Sequence, residues 1–209
     1  MTTRHSKKPE LPDQLIDPRS APFAEPMFRG NLPHLYKPGC SYFVTFCLFD
    51  VAWPRKIARE RALNKPLDLA RSSEPRSSGS CLLKDPDVAR LVEDALLFFQ
   101  GDRYALSAWC VMPNHVHAVV TPYDGRSLLE ILHSWKSFTA HRINTLLGRR
   151  GRVWQQESFD HLVRSPDSFE VFVTYTENNP VAAGLVSDPR EWPFSSGRFR
   201  GSEGLPAGD

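Results

Sequence analysis

The sequence predicts an α+β domain of the ferredoxin-like, split β-α-β kind: a central antiparallel sheet covered by helices, with an additional helix at the C-terminal end. Three observations lead there. Short β-rich apolar runs fall at 42–49, about 103–111 and about 115–121, and amphipathic helical stretches at 87–100 and 127–147 separate or follow them. Two of the strands are joined only by the tight turn Pro113-Asn114, which makes them antiparallel neighbours. The full order is strand, helix, strand, strand, helix, strand, helix, which is the split β-α-β pattern plus one helix.

Each element has its own signal. Residues 1–39 carry Pro9, Pro12, Pro18, Pro22, Pro26, Pro33 and Pro38 without periodicity, and read as an extended arm ordered only where it lies on the body. The domain proper is expected over 40–197. Its first strand is the run Tyr42-Phe43-Val44-Thr45-Phe46-Cys47-Leu48-Phe49, and a flexible insertion follows at about 53–82, where Arg71–Ser80 is rich in serine and charge. Asp85-Pro86 opens a helix with Val88, Leu91, Val92, Ala95, Leu96 and Phe99 on one side. Ser127 caps the next, which repeats Leu128, Ile131, Leu132, Trp135, Phe138, Ile143 and Leu146 and ends at Gly148. Short extended segments are expected at Val153–Gln155 and His161–Val163. The last helix opens at Ser165-Pro166-Asp167 and carries Phe169, Phe172, Val173 and Tyr175. Pro180 biases Asn179 away from helical geometry and predicts an end or a kink there, and residues 198–209 read as a disordered tail.

Composition narrows the class of protein. The chain has 209 residues, 41% hydrophobic and 24% charged, enough for one good core with appendages. A net charge of +2 does not itself argue for nucleic acid. Cys40, Cys47, Cys81 and Cys110 lack Cys-x-x-Cys spacing, and buried reduced thiols are expected. There is no apolar run of about 18 residues and no apolar leader, so a cytoplasmic protein without a membrane partner is expected.

The chemistry concentrates in Met112-Pro113-Asn114-His115-Val116-His117. On a strand, residues two apart share a face, so His115 and His117 place two imidazoles side by side while Val116 enters the core. Taken alone, such a triplet is more often two packed histidines than a pair of ligands. Tyr175 and Asn179, four apart on the last helix, share a face and can look into one site. An amide carbonyl is a reasonable third ligand beside two neutral imidazoles, and that mixed set suits Mg2+ or Mn2+. A tyrosine hydroxyl, with a pKa of about 10, is a weak nucleophile until its target is made electrophilic, as a cation on a phosphodiester does. The bland reading of Tyr175 is a core residue with a wet hydroxyl, and of Asn179-Pro180 a helix stop.

Taken with Trp135-Lys136-Ser137-Phe138-Thr139, Val153-Trp154-Gln155, Phe159-Asp160-His161 and Tyr175-Thr176-Glu177-Asn178-Asn179-Pro180-Val181-Ala182-Ala183-Gly184-Leu185-Val186, the motif resembles the REP-associated tyrosine transposases, single-tyrosine HUH transposases, from about Leu32 to Ser196. The resemblance implies His115 and His117 as the catalytic metal-binding pair, Tyr175 as the catalytic tyrosine and Asn179 as the residue completing the metal site. It implies metal-dependent cleavage of single-stranded DNA beside a hairpin, leaving a 5′-phosphotyrosine and a free 3′-hydroxyl, then strand transfer. The implied partner is a repetitive extragenic palindrome folded as a hairpin, and the implied location the cytoplasm, on the nucleoid when DNA-bound. Relatives look monomeric, so a monomer is expected, with a dimer as the alternative.

Charge supports that partner locally. Arg126, Lys136, Arg142, Arg149, Arg150, Arg152 and Arg164 face only Glu130, Glu157 and Asp160 over 126–164. Arg126, Lys136, Arg149, Arg150, Arg152, Trp154 and Arg164 are the candidate DNA contacts. For Trp154 base stacking and core packing stand level, while Trp135 and Phe138 are expected in the core. The three clustered arginines are most simply a solvated turn. Of His133, His141 and His161, only His161 is given a role, a hydrogen bond near the site. The competing function is a catalytically silent regulator that binds DNA hairpins. A water-using phosphohydrolase would want carboxylates at ligand spacing, which Asp124 and Glu130 do not provide.

Overall fold

The computed structural model describes residues 27–29, 32–34, 39–51 and 79–201. Within the N-terminal arm, β1 (Met27–Arg29) and β2 (Leu32–His34) pair antiparallel. The rest of the arm through residue 38, the 52–78 part of the insertion and residues 202–209 lie outside the described residues. The insertion leaves and returns at one place. Ser80 donates to both carboxylate oxygens of Asp50, through its amide at 2.8 Å and its hydroxyl at 3.0 Å. Gly79 makes the close approach possible, since at φ +114° an added Cβ would stand 2.9 Å from the Asp50 carbonyl oxygen.

Four strands form the central sheet: β3 (Tyr42–Cys47), β4 (Tyr104–Val111), β5 (His115–Pro122) and β6 (Phe159–Leu162). Their spatial order is β4-β5-β3-β6 and every neighbouring pair is antiparallel. With α1 (Pro86–Leu97), α2 (Leu128–Leu146) and α3 (Pro166–Ala182), this is the ferredoxin-like α+β fold with its extra C-terminal helix. The helices start where capping chemistry puts them. Asp85 accepts from the amides of Asp87 and Val88 with Pro86 at the first helical position; Ser127 and Glu130 form a reciprocal capping box; Ser165 accepts from the Ser168 amide ahead of Pro166. α1 stops at Leu97, three residues short of the expected Gln100.

Alternation divides the sheet into two unlike faces. Tyr42, Val44 and Phe46 of β3 and Val116, Ala118 and Val120 of β5 pack against α1 and α2, through Val88, Val92 and Leu96 on one helix and Ile131, Trp135 and Ile143 on the other. Each large side chain buried there stabilises the fold by about 1.5–3 kcal/mol. On the other face, Phe43, Ala108, Val119 and Phe159 meet Phe169 and Phe172 of α3. An irregularity between Leu106 and Ala108 shifts the register of β4, so Tyr104 and Leu106 before it and Trp109 and Val111 after it enter the same core.

Several expectations need correction. Phe138, expected in the core, is 55% exposed, because the buried stripe of α2 steps from Trp135 to Thr139 and Ile143 and leaves Phe138 on its flank. α3 does not end at Asn179 but runs through Pro180 to Ala182. Pro180 sits in the last turn, where the only donor it removes is the one that would meet the Thr176 carbonyl, and Ala183 still donates to the Asn179 carbonyl at 3.0 Å. Residues 198–201, counted with the tail, are folded: Arg198 and Arg200 reach Glu93 and Glu177. Among the described residues no helix is long and apolar enough to cross a membrane.

Candidate functional site

β5 begins at His115, directly after the turn, so both histidines fall on the α3 face, at 2% and 3% exposure. Cross-strand pairing sets their surroundings: His115 lies opposite Cys47, and His117 opposite Thr45 on one side and Cys110 on the other. The His115 Nδ1 is 2.7 Å from Asn114 Oδ1 and the His117 Nδ1 is 2.7 Å from Thr45 Oγ1. A carbonyl oxygen can only accept, so His115 carries its proton on Nδ1 and leaves Nε2 as a lone pair. The Thr45 hydroxyl can accept or donate, so His117 has a choice of tautomer. With the proton on Nε2 it donates to His115 Nε2 across the 3.0 Å between them; with the proton on Nδ1 it presents a second lone pair beside the first.

Burial keeps both rings neutral. It pushes His115 down to about 3, and lowers His117 well below the usual histidine value with help from its neighbour, while the Asn179 amide opposes both shifts.

α3 brings the other two groups. Tyr175 is half-buried, its ring 5.6 Å from that of His117 and edge-on to Phe43 at 5.7 Å. Phe43 in turn stacks on His117 at 5.5 Å and on Phe172 at 4.8 Å, so one aromatic ring seats both the histidine and the tyrosine helix. Asn179 is 1% exposed, yet neither its Oδ1 nor its Nδ2 has a hydrogen bond of normal geometry. A buried amide left this way costs about 1–3 kcal/mol, and it stands beside the two imidazoles, where an oxygen ligand would be of use to a cation.

The residues fit a divalent ion. Two nitrogens on adjacent positions of one octahedral cation, each at about 2.1 Å, stand about 3.0 Å apart, and the Nε2 atoms are 3.0 Å apart. Among the described residues no group of three His, Cys, Asp or Glu could hold a metal, and the buried amide beside the two histidines is that of Asn179. His115, His117, Tyr175 and Asn179 are thus brought together. Thr45, Asn114 and Phe43 join them without having been singled out. Asn114 lay inside the motif, but Thr45 and Phe43 are reached only through strand register.

The candidate DNA contacts divide. Gln155 donates to the Cys47 carbonyl, Phe49 to that of Val153, and Leu48 to that of Asn114, so the 149–155 segment abuts the end of the sheet that holds His115. Arg149, Arg150 and Arg152 belong to that segment, Arg152 lying 5.7 Å from the Phe49 ring centroid and Arg149 donating to the Arg152 carbonyl. Lys136 donates to Gln156 O and Ser158 Oγ, both at 3.0 Å, and with Arg152 lines a groove of about 470 Å³ between α2 and this segment. Arg126 lies at the opposite end of α2, about 28 Å away along a 19-residue helix. Arg164 is exposed after β6 and helps lower the pKa of His161, after burial. Trp154 is not a stacking platform: it is 6% exposed, donates from Nε1 to Thr139 Oγ1 at 2.8 Å and lies edge-on to Phe46. Trp135 is core as expected, with Nε1 on the Tyr104 hydroxyl at 2.8 Å. His161 packs on Phe172 at 5.1 Å, away from the histidine pair.

The profile of the family described as transposase IS200 like matches residues 84–179, from the start of α1 to Asn179. Over those residues, just under half of the chain, the sequence is similar to that family. The match begins before α1 and takes in both histidines, Tyr175 and Asn179. Over 108 residues the chain is 26% identical to the REP-associated tyrosine transposase of Escherichia coli, a stretch covering 51% of this chain and 63% of that protein. The structure also superimposes on a REP-associated tyrosine transposase solved bound to a REP hairpin, with a TM-score of 0.58 at 23% identity, over 88% of this chain and 92% of that one. That likeness speaks for the shared fold.

Proposed function

We propose that this protein is a metal-dependent single-stranded DNA endonuclease and strand transferase, an HUH tyrosine transposase acting at palindromic, REP-type hairpins. The observation that carries the reading is the meeting of two neutral imidazoles, an unbonded buried amide and a tyrosine, from β5 and α3, at one point. His115, His117 and Asn179 would hold Mg2+ or Mn2+, which when bound polarises the scissile phosphodiester and offsets the charge building on its oxygens. Asn114 fixes the His115 tautomer, and Thr45, by accepting from His117 Nδ1, would leave a second Nε2 lone pair beside the first. Tyr175 Oη attacks phosphorus as the bond to the 3′ oxygen breaks, giving a 5′-phosphotyrosine and a free 3′-hydroxyl. The reverse step on a new 3′-hydroxyl rejoins the strand without an external energy source.

The substrate class rests on the similarity to a protein solved with a REP hairpin and on the basic segment against the end of β3, Arg149, Arg150 and Arg152, with Lys136, Arg126 and Arg164 as further phosphate contacts. Such a substrate places the protein in the cytoplasm, on the nucleoid when bound. The test is incubation with a single-stranded hairpin and Mn2+ or Mg2+, wild type against Tyr175→Phe, on a denaturing gel. A covalent band that needs both metal and Tyr175 is the expected result. Binding with no adduct would leave the silent regulator, and cleavage that survives in Tyr175→Phe would make water the nucleophile.

A further inference from the structure

We propose that Glu177 is the positioning residue of the tyrosine helix, and that the C-terminal segment Trp192–Arg200 buckles it to the sheet; this rests on reading Tyr175 as the nucleophile. Along α3 the apolar grip lies early, at Phe169 and Phe172. In the half that carries Tyr175 and Asn179 the grip is lighter: Tyr175 is only half-buried against Phe43, and Thr176 and Asn179, buried against the sheet, have polar side-chain atoms without hydrogen-bond partners. Something else must fix that half. At 100° per residue Tyr175 and Glu177 flank Thr176 on opposite sides, so a clasp on Glu177 sets the roll of the helix and hence the reach of Tyr175.

The clasp is built from buried groups. Glu177 Oε1 accepts from the Ser196 hydroxyl at 2.8 Å, and Ser196 Oγ accepts from the Trp109 amide of β4 at 3.1 Å. Glu177 Oε2 pairs with Arg200 Nε. The segment supplying these partners is itself pinned along the β4 edge: Val111 donates to the Phe194 carbonyl at 2.9 Å, and Trp192 Nε1 to the Val111 carbonyl at 3.0 Å. Its other arginine, Arg198, pairs at 2.6 Å with Glu93 of α1, which also accepts from Trp109 Nε1 at 2.7 Å. Two buried carboxylates, on helices covering opposite faces of the sheet, are thereby neutralised by arginines two residues apart. A carboxylate buried this deeply requires such partners, so the segment cannot leave without stripping both carboxylates of their arginines.

Displacing a reacting group by about 1 Å can cost about a hundredfold in rate, and the clasp acts on displacements of that size. In Arg200→Ala we expect single-turnover cleavage at saturating hairpin to fall by about tenfold or more while hairpin affinity stays within about twofold, with Arg200→Lys recovering most of the rate. Hydrogen exchange gives a readout independent of cleavage: amides of 175–182 should exchange about tenfold faster in Arg200→Ala, those of α2 unchanged. Arg190→Ala, whose guanidinium pairs with Asp188 at the surface, should match wild type throughout. Should Arg200→Ala not fold, Ser196→Ala removes the other half of the clasp and carries the same expectations. Unchanged exchange over α3, or an unchanged rate in a variant that merely melts earlier, overturns the proposal. Faster α3 exchange in a protein whose wild type forms no tyrosine adduct would instead sink the reading of Tyr175, and the positioning role with it.

Discussion

The two faces of one sheet differ in what their residues are asked to do. Val116, Ala118 and Val120 of β5 enter a dry core with Trp135 and Phe46, whereas His115 and His117, their immediate neighbours in sequence, look the other way into a face where α3 leaves polar groups unbonded. On the α1 and α2 side the buried indoles of Trp135 and Trp154 find partners through their nitrogens. On the α3 side the fold tolerates an unpaired Asn179 amide and Thr176 hydroxyl. The larger core lies on one face and the candidate site on the other, and a period of two along the strand keeps them apart.

That division makes opposite substitutions behave differently. Trp135→Ala should cost about 3–5 kcal/mol in denaturant unfolding, while His117→Ala should cost within about 2 kcal/mol and abolish Mn2+ binding by titration calorimetry. A His117→Ala that unfolds the protein as badly as Trp135→Ala would erase the distinction. A smaller effect is expected one step back from the metal: Thr45→Val, which removes the partner of His117 Nδ1, should weaken Mn2+ binding by about 10–100-fold with the fold intact.

Acid should act through the reactive face. Because burial depresses both histidines, the folded protein refuses protons that the unfolded chain accepts at about 6.5. Their contribution is fully present above that pH and is lost as pH falls towards about 3, the folded value of His115. In metal-free protein, stability should therefore drop by up to about 1.4 kcal/mol per pH unit for each histidine below 6.5, and less steeply in a His115→Gln, His117→Gln double variant. The smallest effects belong to the rim: removing Arg149, Arg150 or Arg152 should each lower the slope of log affinity against log salt by about 1, with little change in cleavage at saturating DNA.

Much of this was legible in the residues. Period-two and period-3.6 patterns with their caps located the four central strands and three helices, because Asp85, Ser127 and Ser165 announce helix starts locally. His115, His117, Tyr175 and Asn179 were also legible, since spacing along one strand and one helix fixes which side chains share a face. What escaped depends on pairing between distant segments. Thr45 reaches His117 only because β3 lies beside β5 in one register, and Glu177 meets Arg200 only because the chain returns along β4. Phe138 left the core it was expected in, and Trp154, whose two readings stood level, entered it, for the same reason: the hydrophobic pattern ranks residues by polarity, while the neighbouring layer decides which ones it covers.

The account stands or falls on where DNA becomes attached. We would trap the product formed from a single-stranded hairpin in Mn2+, digest it with protease and nuclease, and map the modified peptide by mass spectrometry. The prediction is a nucleotide joined through its 5′ phosphate to Tyr175, absent when the metal is chelated. Attachment at any other residue, or cleaved DNA with no attachment, would contradict it.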